Sequence, residues 1–132
     1  MKSQAIWTKD APLPRASYSQ GIRRGNLLFL AGQVGTDVAT GRLVGDSVQE
    51  QTPQALLNLE HVLTAAGARW RDVVSVRVFL TDTEDYEPMN ECYNAAVKEP
   101  FPVRTTVYCG LNPGVKVEFD AIAVLDGEDR DK

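Results

Sequence analysis

A run of alternating apolar and charged residues near the C-terminal end of the chain restricts the fold more than any other feature. In the segment VKVEFDAIAV, residues 115–124, Glu118 and Asp120 lie on one side of the alternation. The other side consists of Val117, Phe119, Ala121 and Ala123. A period of two residues is that of a β-strand with one face towards a core. The fold must therefore place two carboxylates on the opposite face of a sheet.

Two helical segments alternate with further strand-like segments. Residues 47–66 and 82–98 carry apolar side chains at a helical period, and Gly67 is a good stop for the first segment. Thr52-Pro53 either begins that helix or lies within its first turns, where proline is tolerated. The predicted strands are 19–23, 26–33, 73–81, 103–109 and 115–124. This β-β-α-β-α-β-β order predicts an α+β fold with two helices on one face of a mixed sheet.

The sheet face away from the helices is predicted to carry an unusual mixture of side chains. The side chains expected to point towards the helices from the strand at 73–81 are Val74, Val76, Val78 and Leu80. Those expected on the second face are Ser75, Arg77, Arg104, Thr106, Glu118 and Asp120, beside Leu27 and Phe29. Burying an unpaired charge costs several kcal/mol. We therefore predict that this face meets another subunit, with its charges paired or lining a wet cleft.

Length and charge restrict the class of protein. The 132 residues suit one domain, expected over 1–125, and the charged end DGEDRDK, 126–132, is expected to be disordered. The formal net charge of -4 and the sequence pI of about 4.9 argue against a nucleic-acid-binding protein, which needs a basic surface.

The two cysteines and the N-terminus predict a cytoplasmic protein with reduced thiols. Cys92 and Cys109 belong to no CxxC pair and to no His-rich run, so neither a disulfide framework nor a metal site is expected. Both are expected to be small core residues and not nucleophiles. The start, MKSQAIWTKD, lacks the apolar segment of a secretory signal. The longest fully apolar run, 27–31, is far shorter than the ~20 residues of a membrane helix.

Seven segments together resemble the RidA/YjgF family of enamine/imine deaminases. They are YSQGI (18–22), GNLLFLAGQVG (25–35), TGRLV (40–44), QTPQALLNLEHVLTAAG (51–67), VVSVRVFLTDTEDYEPMNECY (73–93), FPVRTTV (101–107) and VKVEFDAIAV (115–124). The resemblance implies a chorismate-mutase-like fold and a homotrimer in which three sheets form a barrel and three clefts lie at subunit boundaries. Its sheet order implies that the strand at 73–81 lies between the last two strands, which then form no hairpin.

The resemblance also implies an activity. Active members of the family hydrolyse 2-aminoacrylate and related enamines or imines, released by pyridoxal-phosphate enzymes, to 2-oxo acids and ammonia without a cofactor. Arg104 matches the arginine that binds the substrate carboxylate, and Glu118 matches the glutamate that activates water. Tyr18 matches the tyrosine that closes the cleft, Gly32 offers a backbone N–H, and Asn90 lies near the site.

Three positions depart from the family pattern and bear on substrate preference. Ala31 stands where serine is frequent, Thr106 where cysteine is frequent, and Ser17 where proline often precedes the tyrosine. A larger enamine such as 2-aminomuconate is an alternative substrate, and Ala31 and Thr106 are the positions at which the pocket would adapt to it. One alternative of another class is a metabolite-binding or chaperone-like stress protein. Another is a ribonuclease or translation inhibitor, although the net negative charge of the chain argues against it.

Each candidate residue also has a structural interpretation. Arg104 could form an ion pair with Asp120 or Glu118, and Glu118 could balance Arg77 or Lys116. We favour Asp120 as the partner of Arg77, which leaves Glu118 for water.

The remaining polar candidates have structural interpretations as well. Tyr18 could cover apolar surface, and Asn90 could bond a loop backbone. His61 is expected to be solvated and not catalytic.

Overall fold

The computed structural model of the protein describes residues 1–126. Its strands are β1 (Gln4–Ile6), β2 (Gly21–Arg24), β3 (Leu27–Gln33), β4 (Val73–Leu80), β5 (Val103–Tyr108) and β6 (Val117–Val124). Its α-helices are α1 (Val48–Ala65) and α2 (Tyr86–Ala96). Short 3-10 turns, Trp70–Asp72 and Thr83–Asp85, precede β4 and α2. The prediction for the charged end lies, from residue 127 onward, outside the described residues.

The strands form one mixed sheet in the order β1-β2-β3-β6-β4-β5. All neighbouring strands are antiparallel except β4 and β5, which are parallel. The predicted α+β fold is confirmed, and so is the prediction that the last two strands form no hairpin, because β4 lies between them. Strand β1 was not predicted from the sequence, since three residues are too few to show a period.

Helix α1 begins with a capping box. The Ser47 side chain accepts from the backbone N–H of Glu50, and the Glu50 carboxylate accepts from the backbone N–H of Ser47. Pro53 lies inside the helix near its start, which settles the alternative left open by the sequence. After the helix ends, Gly67 adopts a φ of 76°, a left-handed conformation that favours glycine.

The core lies between the sheet and the two helices. The predicted helical stripes are confirmed by the burial of Leu56, Leu59, Val62, Leu63, Met89, Tyr93 and Val97. Facing side chains of the sheet that are buried with them include Leu28, Leu30, Val76, Val78, Leu80, Val117, Phe119 and Ala121. One side of the central strands β3, β4 and β6 is thereby removed from water.

An irregularity at the start of β4 changes one predicted core residue. The pairing of β4 with β6 shifts between Val73 and Ser75, so that Val73 is buried and Val74 is 45 % exposed. The prediction that Val74 points towards the helices is wrong. A bulge adds one residue to one strand of a pair and reverses the side-chain alternation on either side of it.

The side chains of the edge strand β5 point to the faces of the sheet opposite to those predicted. Arg104 is paired with Val76 and Thr106 with Val78, so both lie on the helix-covered face. Glu118 is paired with Phe79 on the opposite face. The expectation that Arg104 and Thr106 share a face with Glu118 is wrong. Val103, which is 71 % exposed, points away from the helices instead.

The cysteines are not core residues, contrary to the prediction. Cys109 directly follows the edge strand β5 and is exposed, and Cys92 is partly exposed on α2. Burial raises the pKa of the Cys92 thiol, with a further contribution from Glu91. Between residues 1 and 126, no helix is long and apolar enough to cross a membrane.

Candidate active site

The guanidinium of Arg104 is held by one face of α2. Its Nη1 donates to Asn90 Oδ1 at 2.8 Å, and its Nη2 donates to the Tyr86 hydroxyl at 2.8 Å. The guanidinium carbon lies 4.7 Å from the ring centre of Tyr93 and 5.6 Å from that of Tyr86. Positions 86, 90 and 93 are one and two helical turns apart, so α2 presents all three side chains together. The interpretation of Asn90 as a partner of a loop backbone is wrong.

Every one of these Arg104 partners is neutral. Within residues 1–126 no carboxylate forms an ion pair with Arg104. The proposed structural pairs with Asp120 or Glu118 are excluded because those residues lie on the other face of the sheet. A guanidinium carries five N–H groups, so three remain for a ligand. A half-buried, uncompensated guanidinium of this kind can bind a planar carboxylate through two parallel hydrogen bonds.

Glu118 lies against the backbone of Gly32. A Cβ at position 32 would come within 2.8 Å of Glu118 Cδ, closer than nonbonded atoms pack. The approach occurs where the pairing of β3 with β6 is irregular, between Leu30 and Gln33. Only a glycine at position 32 lets the carboxylate occupy this place.

The environment of Glu118 disfavours its charged form. Burial raises the pKa of the Glu118 carboxyl, and the nearby negative charge of Asp120 raises it further. Arg77, one of the two cations considered as a partner of Glu118, instead binds Asp120 at 2.6 Å and 3.0 Å. The predicted Arg77–Asp120 pair is thus confirmed. A carboxylate with a raised pKa is a stronger base than an ordinary glutamate, so it is better suited to remove a proton from water.

An open cavity of about 600 Å³ adjoins Gly32. Tyr18 lines it and is 58 % exposed, so its ring covers no core in this chain. The buried side chain of Gln20 holds the loop before Tyr18 through hydrogen bonds to its backbone. This contact was not predicted from the sequence. Gln20 Nε2 donates to the carbonyl oxygens of Thr8, Ala11 and Pro12, and Gln20 Oε1 accepts from the backbone N–H of Thr8.

His61 also contacts this loop. The prediction of a solvated side chain is wrong, because His61 is half-buried and its Nδ1 lies 2.7 Å from the carbonyl oxygen of Asp10. Its ring therefore helps to hold the loop against α1. Among residues 1–126, no group of three or more His, Cys, Asp or Glu side chains is arranged to hold a metal ion.

Comparison with known proteins identifies the family. Residues 8–125 match the family model described as Endoribonuclease L-PSP. The chain belongs to the RidA/YjgF family. It is 41 % identical over 121 residues to a RutC family protein of Pyrococcus horikoshii, covering 91 % of this chain and 96 % of that protein. It is 37 % identical over 122 residues to the 2-iminobutanoate/2-iminopropanoate deaminase of Mus musculus, covering 92 % and 90 %.

Solved structures agree with the RidA/YjgF assignment. A putative endoribonuclease of Thermotoga maritima superposes with a TM-score of 0.91 at 37 % identity, covering 96 % of this chain and 100 % of that one. The E. coli protein TdcF, solved with bound serine, superposes with a TM-score of 0.85 at 32 % identity, covering 92 % and 98 %.

In this RidA/YjgF chain the candidate residues form two separate groups. The guanidinium half-site consists of Arg104, Asn90 and Tyr86 on the helix-covered face, and Thr106 lies on the same face two residues along β5. The carboxylate half-site consists of Glu118 and Gly32 on the other side of the sheet, and Tyr18 lines the cavity that Gly32 also lines.

The other two departures from the family pattern lie near the carboxylate half-site. Ala31 is half-buried, and its backbone N–H donates to Gln20 at 2.9 Å. Ser17 is exposed beside Tyr18.

Proposed function

We propose that this protein is an enamine/imine deaminase that hydrolyses 2-aminoacrylate or 2-iminopropanoate-type intermediates to 2-oxo acids and ammonia. The observation that carries the proposal is the half-buried Arg104 guanidinium, which is oriented by neutral partners and has no carboxylate partner among the described residues. The proposal also agrees with the name of relatives such as the mouse protein, 2-iminobutanoate/2-iminopropanoate deaminase.

The reaction follows from the two half-sites. The Arg104 fork binds the substrate carboxylate and fixes its plane. The Glu118 carboxylate removes a proton from a water molecule while the water oxygen bonds to the iminium carbon. The proton on Glu118 then passes to the nitrogen, and the Glu118 carboxylate takes up the hydroxyl proton as the C–N bond breaks. Ammonia leaves as the carbonyl of the 2-oxo acid forms, and Glu118 finally releases its proton to the ammonia or to water. Orientation of substrate and water supplies most of the rate enhancement, and the reaction needs no cofactor.

A single chain cannot bring the two half-sites to one substrate, because they lie on opposite faces of one sheet. We therefore propose a homotrimer in which Arg104 of one subunit faces Glu118 of the next. Exposed apolar side chains support an interface on the face away from the helices. They are Leu27, Phe29, Val103 and Val107, each more than a third exposed.

A larger enamine is the second candidate substrate. Ala31 precedes Gly32 in β3, and Thr106 lies on the same face of β5 as Arg104. The side chains at these two positions would set the room for a dicarboxylic enamine such as 2-aminomuconate. Rates with both substrates would rank the two candidates.

The deaminase proposal is tested by coupling the protein to a serine dehydratase. Addition of the protein should speed the release of pyruvate and ammonia and should reduce the product trapped by semicarbazide, which captures the free imine. An Arg104→Lys variant is the control for nonspecific protein effects. Equal trapping with and without the wild-type protein would contradict the proposal and favour a binding role without turnover.

A further inference from the structure

We propose that Tyr86 is a positioning residue that sets the affinity of Arg104 for the substrate carboxylate. The inference rests on the proposed role of Arg104 as the carboxylate-binding residue. Its basis is the hydrogen bond of 2.8 Å in which Arg104 Nη2 donates to the Tyr86 hydroxyl. None of the sequence motifs points to this contact, because a tyrosine on the apolar stripe of a helix has the pattern of a core residue.

Two hydrogen bonds on two different nitrogens define the orientation of a planar group. Asn90 alone would hold Nη1 and leave the guanidinium free to turn about that contact. Tyr86 holds Nη2 and removes this freedom. The ring of Tyr93 lies under one face of the guanidinium at 4.7 Å and limits its tilt. The group is therefore ordered before a ligand arrives, which lowers the entropy cost of binding.

The partners are also suited to the task because they carry no charge. A carboxylate at position 86 or 90 would orient the guanidinium equally well, but it would compete with the substrate for the same N–H groups. The Tyr86 and Asn90 oxygens each accept one N–H and leave the positive charge uncompensated. Tyr86 thus orients the cation without reducing its attraction for an anion.

The position of the hydroxyl is fixed by the way α2 begins. Tyr86 is the first residue of α2 and follows the turn Thr83–Asp85, in which Asp82 accepts from the backbone N–H of Glu84. Met89, one turn further on, is fully buried and anchors this end of the helix in the core. The backbone that carries the Tyr86 ring is therefore held in place.

The test is Tyr86→Phe, which removes the hydroxyl and keeps the ring. The control is Tyr108→Phe, the same change at a tyrosine that is 45 % exposed on β5. Binding of pyruvate and of its neutral analogue pyruvamide is measured by calorimetry. In Tyr86→Phe we expect the Kd for pyruvate to rise about three- to tenfold, with no change for pyruvamide, since only a carboxylate uses the oriented fork. The KM for imine hydrolysis should rise in parallel, and kcat should fall less than about twofold.

The binding data distinguish a failure of the Tyr86 role from a failure of the proposed function. Unchanged pyruvate binding in Tyr86→Phe, or equal losses for pyruvate and pyruvamide, would overturn the positioning role. If pyruvate binding is unchanged in Tyr86→Phe but weaker in Arg104→Lys, Arg104 keeps its proposed role and Tyr86 loses its own. If Arg104→Lys binds pyruvate as tightly as the wild type, the proposed function itself fails.

Discussion

At the scale of single residues, the two charges that define the candidate site lie in unfavourable surroundings. Arg104 has only neutral partners within the described residues, and Glu118 is half-buried near a second carboxylate. By contrast, Arg77 and Asp120 pair with each other on the same sheet face as Glu118. Unpaired charges reduce stability, so they are typical of a site that awaits a ligand.

Arg104→Lys should reduce imine hydrolysis by roughly 100-fold or more, because one ammonium cannot fix the plane of the substrate carboxylate. The melting temperature should change little, since lysine keeps the charge and most of the stem. Arg77→Lys is the matched control. The Arg77 side chain is 62 % exposed in the single chain and lysine keeps its charge beside Asp120, so that variant should keep its activity and lose about 1 kcal/mol or less. Near-normal rates with reduced thermal stability in Arg104→Lys would make Arg104 a structural residue.

Glu118→Gln should abolish most activity, still bind pyruvate and melt at a higher temperature at neutral pH. The folded state raises the pKa of Glu118, so ionised Glu118 destabilises the fold at any pH above that raised pKa. The penalty disappears below the ordinary glutamate pKa, where the group is protonated in both states. Melting curves at pH 7.5 and pH 4 should therefore show a gain from glutamine that shrinks on acidification. A gain of equal size at both pH values would contradict the assigned cause.

At the scale of elements, the irregular pairing of β3 with β6 brings the backbone of Gly32 and the carboxylate of Glu118 together. The pairing shifts between Leu30 and Gln33, and Gly32 lies inside the shift against Glu118. Strand β5 contributes the other half-site from the sheet edge, where α2 packs beside it and supplies Tyr86, Asn90 and Tyr93. Each half-site is thus built from one strand and the element next to it.

Gly32→Ala should reduce activity about tenfold or more while lowering the melting temperature only slightly. The new methyl group would overlap the end of the Glu118 side chain, which can rotate away at small cost to the fold. Gly110→Ala is the control, because a Cβ at that position meets nothing within 4 Å. Full activity in Gly32→Ala would show that the present place of the Glu118 carboxylate is not the one used in catalysis.

At the scale of the whole molecule, the opposite placement of Arg104 and Glu118 predicts complementation between inactive subunits. Arg104→Lys and Glu118→Gln chains, mixed in equal amounts, unfolded and refolded together, should regain activity. If subunits assemble at random, about one cleft in four combines an intact arginine with an intact glutamate. Recovery near a quarter of wild-type activity is expected, with a trimer mass by sedimentation equilibrium. Lack of recovery from an assembled mixture would contradict the shared cleft, and a monomer would contradict the interface.

The spacing of apolar residues along the chain was enough to predict the elements and, in part, their faces, because hydrophobic period is a local property. Both helices, five of the six strands and the core residues of β6 follow from spacings of two and 3.6 residues. The family resemblance added the order of the last three strands and the choice of Arg104 and Glu118. The Arg77–Asp120 pair was also correctly predicted, since both residues lie on central strands whose apolar faces are unambiguous.

The directions in which the side chains of the edge strand β5 point could not be predicted from local spacing. In β5 the apolar Val103 and Val107 alternate with Arg104 and Thr106, and the pattern alone favours burying the valines. The parallel register with β4 places Arg104 beside Val76 and reverses that assignment. A shift of one residue in register exchanges the two faces of a strand, and register depends on pairing between segments distant in the chain. The division of the candidate site into two half-sites therefore became visible only in the assembled sheet.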